Sequence, residues 1–361
     1  MTTISFTWRD DGGWPHSKTV ELKDGDWVDP QLPIVVLLHG LGGNINHMGD
    51  NPGISPGQNF NIDAPVPDWI DRGWQWIPGF GIFRIEIDPA LTVRGWQPFL
   101  TSQGFSSVNY AQIDPNGLLA RPVLELDALV RALLASTSKR IVFVCHSRGG
   151  LLLRLFLQRN RQDVTLLRRV AGAVTLHSPH QGSGVADIAT TAHAILLVLM
   201  FLVPLPAKLA LLLLDSFVNA QGNWELRTDS QLLANLRSSE ATPLPVSIPV
   251  HTFGGTSPRL ARVRSWVLDA SSAVPQWHWP PYHWQTYRSN VAGIESFIDG
   301  VPPLTALTPE ERPGEGDTLV TDVRSHLPGE ASHHTNPLNH AQALWHGSLK
   351  DQVLPILRSL R

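Results

Sequence analysis

Ser147 sits in FVCHSRGG, residues 143 to 150, where an apolar, β-rich run gives way to a helix-like segment. A serine held on a sharp strand-to-helix turn presents its hydroxyl for attack on an acyl carbon, provided small residues two places to either side let the turn close. Gly149 fills the second of those places; Cys145 stands in the first, where glycine is usual. The bland alternative is a serine capping an ordinary helix. Cys145 is the chain's one cysteine. It excludes an intrachain disulfide, and it reads as a small packing residue at a strand end rather than as a reactive thiol.

Attack on an ester would leave an alkoxide that needs two preorganised donors. One is the backbone N–H after the nucleophile, that of Arg148; the other comes from the loop after the first confident strand, LLHGLGGN, residues 37 to 44. Leu41 is the expected second donor and Gly42 the alternative. His39 is expected to order this loop. The Arg148 side chain either pairs with a nearby carboxylate or sits at the rim of the site, and the sequence leaves both open.

HGLGG, CHSRGG and HSPHQGS together resemble the lipase branch of the α/β hydrolases, whose third motif is usually TPHxGS. The likeness continues to the C-terminus: HTFGGTSP, GDTLVTDVRSHLPG and LNHAQALWH are similar to segments of bacterial true lipases, and the chain as a whole also resembles lipases like the GPI inositol deacylases. It covers most of residues 32 to 357 apart from insertions. The resemblance implies an α/β-hydrolase fold and a Ser–His–Asp mechanism in which the acid and then the base follow the serine in the chain. It assigns Asp317 as the acid and His340 as the base. Asp322 and Asp299 are fallback acids; His346, His334 and His333 are fallback bases. Some bacterial lipases hold calcium through an Asp two residues past the catalytic His, but Gln342 stands there, a poor calcium ligand. His326, His333, His334, His340 and His346 crowd together in sequence at spacings that match no zinc pattern. Neither a metal nor a cofactor is expected, because acyl transfer through serine uses protein groups alone.

Positioning these residues requires a sheet. Residues 34–38, 106–113, 140–145, 170–176 and 248–253 read as strands, mostly as continuous apolar runs that suit a parallel sheet covered on both faces. Residues 122–135 and 149–159 carry helical spacing, the first opening on Pro122. The alternation predicts a doubly wound, mostly parallel α/β sheet with a helical cap or lid. The core is expected at 1–184 and 246–361. Irregular insertions are expected at about 44–99 and 258–316, and a cap at 185–245 that includes a polar helix, NWELRTDSQLLANLRSS.

Within the cap, residues 194 to 214 are nearly all apolar. They are long enough for a bilayer, but Pro204, Pro206 and Lys208 divide them, which favours two short helices. Whether they form a mobile lid or a fixed cap stays open. Leu197 and Phe201 from this stretch, Trp277 and Trp279 from WHWPPYHWQTY, and His39 and His180 are the candidate substrate contacts, although such aromatic clusters more often pack loops onto a core. The expected substrates are carboxylic esters with apolar acyl chains, acylglycerols before small polar esters, with contact at a lipid interface. A lipid-linked deacylase, thioesterase or polyester hydrolase would share every motif, and a non-catalytic membrane-associated binding protein is the alternative of another class.

Composition agrees with an enzyme that buries a large core. The chain has 361 residues, 42% of them hydrophobic and only 16% charged, with a formal net charge of -3. No basic stripe suggests a nucleic-acid partner, and no protein partner is expected. The opening MTTISFTWRDDGG has no signal-peptide pattern, which leaves a cytoplasmic protein or a secreted mature form.

Overall fold

A computed structural model describes residues 2–27, 29–45, 47–49, 95–188, 220–268 and 307–361, with short strands at 75–77, 81–83, 85–86, 285–287 and 291–299. In chain order the elements are β1 (Thr2–Arg9), β2 (Pro15–Lys23), β3 (Ile34–Leu38), β4 (Gln75–Ile77), β5 (Gly81–Phe83), β6 (Ile85–Glu86), α1 (Trp96–Ser102), β7 (Ser107–Asn109), α2 (Ala120–Ser136), β8 (Ile141–His146), α3 (Gly149–Arg159), α4 (Val164–Arg168), β9 (Val170–Leu176) and α5 (Gly184–Asp187). They continue as α6 (Asn223–Leu226), α7 (Gln231–Glu240), β10 (Val250–Gly255), β11 (Arg259–Leu268), β12 (Gln285–Tyr287), β13 (Val291–Asp299), β14 (Ser332–Asn336) and α8 (Gly347–Ser359).

Eight strands form the main sheet in the order β1-β2-β7-β3-β8-β9-β10-β14. From β7 to β14 all neighbours run parallel; β1, β2 and β7 are joined antiparallel. Every residue of β3, β8 and β9 is buried, as the continuous apolar runs require. Alternate residues feed two cores. Val36, Phe143 and Cys145 pack with Leu126, Leu129 and Phe156 of α2 and α3 on one face. Val35, Leu37 and Val144 pack with Trp96 and Leu100 of α1 and Val353 of α8 on the other. Each such buried side chain contributes about 1.5–3 kcal/mol. Cys145 therefore serves packing, and burial pushes its thiol pKa well up.

Several boundaries differ from the sequence expectation. The β1–β2 hairpin was not expected, although Ile4, Phe6 and Trp8 alternate as a half-buried strand should. The weak 106–113 strand shrinks to Ser107–Asn109. Helix α2 begins at Ala120, so Pro122 falls inside its first turn, where its missing N–H costs nothing. The polar helix is two helices, α6 and α7; the first ends where Arg227 turns extended, and Ser230 caps the second by accepting from the Leu233 N–H. The insertions at 44–99 and 258–316 are not wholly irregular. Strand β11 pairs antiparallel with both β13 and β6, so parts of the two insertions share a second sheet, β12-β13-β11-β6. Leu197, Phe201, Trp277 and Trp279, and with them the apolar stretch 194–214, lie outside the described residues. Among the described residues no helix is long and apolar enough to cross a membrane.

Candidate active site

The loops leaving the C-terminal ends of β3, β8, β9 and β10 and the turn after β14 meet at one place, as expected for ligand-binding crevices in open parallel sheets. Ser147 follows β8 directly and has φ +54°. Its N–H donates to the Leu176 carbonyl at 2.9 Å, which ties the turn to β9. Only His177 and Thr318 share a positive φ among described non-glycine residues, at +51° and +95°. All three belong to this site, and backbone in that region costs on the order of 1–3 kcal/mol per residue. The turn also needs its glycines: a Cβ on Gly149 would lie 2.6 Å from the Leu38 carbonyl oxygen, and one on Gly40 would lie 2.7 Å from the Ser147 Cβ.

The Ser147 hydroxyl donates to His340 Nε2 at 2.8 Å, and His340 Nδ1 donates to Asp317 Oδ2 at 2.8 Å. The structure thus brings together the serine, base and acid named from sequence. Backbone geometry fixes the pair: the His340 N–H donates to the Asp317 carbonyl, and Asn339 and Gln342 bracket the turn with reciprocal 2.8 Å bonds between side chain and backbone. Asp317 is fully buried, and burial alone would raise its pKa. The His340 charge and the hydrogen bonds from His177 and His340 outweigh that and hold the carboxyl well below the usual range. Its other oxygen, Oδ1, accepts the Leu319 and Val320 N–H groups at 2.9 and 2.7 Å.

Two histidines escaped sequence reasoning. His177 is wholly buried and donates from Nδ1 to Asp317 Oδ2 at 2.8 Å, so that one oxygen holds two imidazoles. His146 sends Nε2–H to the His340 carbonyl at 2.9 Å and stays neutral, burial holding its pKa well below 6.5. The available signal was position: each directly precedes a motif residue, Ser147 or Ser178. The fallback bases lie elsewhere. His346 bonds Ser348, His334 stacks on Phe253, and His333 bonds Asp322, the fallback acid. Asp299 ends β13 in the second sheet.

The proposed donors divide cleanly. The Gly42 N–H is taken by the Pro115 carbonyl at 2.9 Å. The N–H groups of Leu41 and Arg148 donate to no acceptor among the described residues. The Arg148 side chain resolves toward the first of its two readings: its buried guanidinium donates to Glu225 Oε2 at 3.3 Å and to the carbonyls of Pro115 and Gly117. Glu225 also accepts the Leu119 N–H, so one ion pair ties α6 to the elbow. Burial nevertheless raises the Glu225 pKa and lowers that of Arg148.

His39 and His180, named as substrate contacts, are both buried with ring nitrogens bonded within the protein. His39 Nδ1 donates to the Gly40 carbonyl and Nε2 accepts the Gln112 N–H, so both ring nitrogens are used in ordering the loop. Its pKa is pushed down to about 3 by burial. His180 is 2% exposed; it bonds Thr175 Oγ1 through Nε2, and its carbonyl accepts from Arg154. Both rings organise loops behind the serine.

No family model matches the chain, and no curated protein matches it by sequence. Solved structures do match in shape. The mature form of a Bacillus licheniformis lipase superposes with a TM-score of 0.52 at 15% identity, covering 92% of this chain and 95% of that one. The propeptide form of that lipase gives 0.52 and 15%, covering 93% and 52%. A Staphylococcus hyicus lipase gives 0.47 and 11%, covering 94% and 98%. At such identities the likeness is one of architecture, and with the sheet order and elbow above it shows that this chain has the α/β-hydrolase fold.

Proposed function

We propose that the chain is a serine hydrolase that cleaves carboxylic esters with apolar acyl chains. The observation that carries this reading is the hydrogen-bonded run Ser147–His340–Asp317 on a strained elbow. As Ser147 Oγ bonds to the ester carbonyl carbon, its proton passes to His340 Nε2. The carbonyl electron pair moves to oxygen, where the Leu41 and Arg148 N–H groups receive it. Asp317, kept ionised by its low pKa, holds the imidazole with Nε2 toward the serine and stabilises the imidazolium. Collapse of the tetrahedral adduct expels the alcohol, which takes the proton from His340; water then repeats the sequence on the acyl-enzyme. The apolar acyl preference is supported by the greasy stretch at 194–214, which follows HSPHQGS in the chain, and by the lipase among the structural neighbours.

Fluorophosphonate labelling tests the nucleophile: wild type is expected to label and Ser147→Ala is not. An unlabelled wild type overturns the hydrolase reading. A series of p-nitrophenyl esters tests the acyl preference, which fails if kcat/KM collapses beyond short chains.

A further inference from the structure

A second His–carboxylate cluster lies five residues beyond Asp317. Asp322, His326 and His333 each offer one ligand atom, and these atoms all lie within 4.8 Å of one another. The rings of His326 and His333 stack with centroids 3.4 Å apart. Their Nδ1 atoms are already committed. His326 Nδ1 bonds Glu330 Oε1 at 2.7 Å, and His333 Nδ1 bonds Thr252 Oγ1 at 2.7 Å. The single Thr252 hydroxyl hydrogen goes to Glu330 Oε2 at 2.6 Å, so the proton between His333 and Thr252 must sit on Nδ1. With Nδ1 carrying a proton, each ring offers Nε2 as its lone pair. His333 Nε2 nevertheless stands 3.1 Å from Asp322 Oδ1. Two acceptors at that distance require either a further proton on the ring or a cation between them.

The arrangement is that of a divalent metal site with its outer support in place. Imidazoles that bind metal through one nitrogen donate from the other to a carboxylate or similar acceptor, which fixes the tautomer and raises ligand basicity. Glu330 supports His326 directly and His333 through Thr252. The 3.1 Å separation of His333 Nε2 and Asp322 Oδ1 is close to the roughly 3.3 Å between ligands of a tetrahedral ion with ~2.0–2.1 Å bonds. His326 is the most exposed of the three side chains. The two stacked rings must part for both lone pairs to meet one ion, a movement the exposed His326 has room to make, and solvent can fill the fourth position.

We propose that Asp322, His326 and His333 bind a zinc-class divalent ion through one carboxylate oxygen and two Nε2 atoms. Binding ties the Asp322–His326 turn to the start of β14. Asp322 also packs on β10, where a Cβ on Gly254 would come within 2.2 Å of Oδ1. The ion would therefore clamp two strands to the loop that carries Asp317. The sequence spacing hides the site because its ligands come from a turn and a strand, and one of them is not a histidine.

The test uses the full chain, stripped with chelator and titrated with zinc alone by calorimetry, with thermal unfolding and the visible spectrum of the cobalt(II) form alongside. One equivalent of zinc, a raised Tm, and at least a hundredfold weaker binding in His326→Ala with ester cleavage by the metal-free enzyme unchanged are the expected results. Glu330→Gln, which keeps all three ligands, should weaken zinc by about 10- to 100-fold. Absence of stoichiometric binding overturns the proposal. So does binding that survives His326→Ala, calcium binding as tight as zinc, or zinc binding abolished by His340→Ala instead, which would place the ion on Asp317. These readouts are independent of whether the serine cleaves esters.

Discussion

Asp317 and Asp322 lie on one loop, each facing two histidines, yet the two clusters are wired in opposite senses. Asp317 takes the Nδ1–H of both His340 and His177 on one oxygen, at 2.8 Å each. That leaves His340 Nε2 aimed at the Ser147 hydroxyl. Asp322 instead meets the Nε2 side of His333, while the Nδ1 sides look to Glu330 and Thr252. The first arrangement gives an imidazole that can take up a proton and hand it on; the second gives lone pairs gathered around a carboxylate. Burial separates them too. The Asp317 and His177 side chains are wholly inaccessible, whereas Asp322 and His326 are open to solvent by 20% and 41%. Residue types alone do not distinguish the two clusters; what faces the free Nε2 does, a serine hydroxyl at His340 and a carboxylate at His333.

The largest expected difference is catalytic. Asp317→Asn removes the charge that holds His340 in its tautomer and should lower kcat about 10⁴-fold. Asp322→Asn should change kcat by less than about threefold. Steady-state kinetics on one soluble ester, with circular dichroism to verify folding, decides it. Comparable losses in both variants would dissolve the distinction drawn between the clusters.

His177→Phe sharpens the inner cluster. It removes one of the bonds that hold the Asp317 carboxylate in place behind His340, so kcat should fall by up to about 10- to 100-fold with KM little changed. A loss of rate matched by a loss of folded protein in circular dichroism would make His177 a packing residue only.

These features were unevenly legible. Strands β3, β8 and β9 are buried on both faces, so their apolar runs declare them, and motif order named Ser147, Asp317 and His340. Strand β14 reads SHHTN and lies at the sheet edge with only Asn336 buried, so no hydrophobic signal marks it. Beyond their place before a motif serine, nothing in sequence separates His177 and His146 from surface histidines, because their roles depend on a positive φ in one case and on a distant carbonyl in the other. The Arg148–Glu225 pair joins residues 77 apart, beyond the reach of local pattern.

Acid should weaken the fold through His39 before it does so through Asp317. His39 is pushed down to about 3 in the folded protein, against an ordinary value of about 6.5. Its folded pKa is the lower one, so between those limits the unfolded chain holds the extra proton and stability falls as pH falls, by about 1.4 kcal/mol per unit for this group alone. Urea midpoints at pH 7.5 and 5.5 should therefore differ more for wild type than for His39→Gln. An equal difference would mean that His39 does not titrate on unfolding. Asp317 acts at lower pH: its depressed pKa adds stability above about 3.9 that is lost as pH falls further.

The smallest effect belongs to the outer cluster without metal. Asp322→Asn in chelator gives up the ionic character of its bonds to His333 at 3.1 Å and Thr335 at 2.9 Å. Both lie in a half-buried turn, where solvent screens charge and replaces lost partners. The cost should be about 1 kcal/mol, or a Tm lower by about 1–2 °C. Zinc should widen that gap, because only the wild type keeps all three ligands and binding to the folded state adds its own stabilisation. A gap that stays the same with and without zinc would show that the outer carboxylate is only a hydrogen-bond acceptor. The contrast between the clusters would then rest on burial alone.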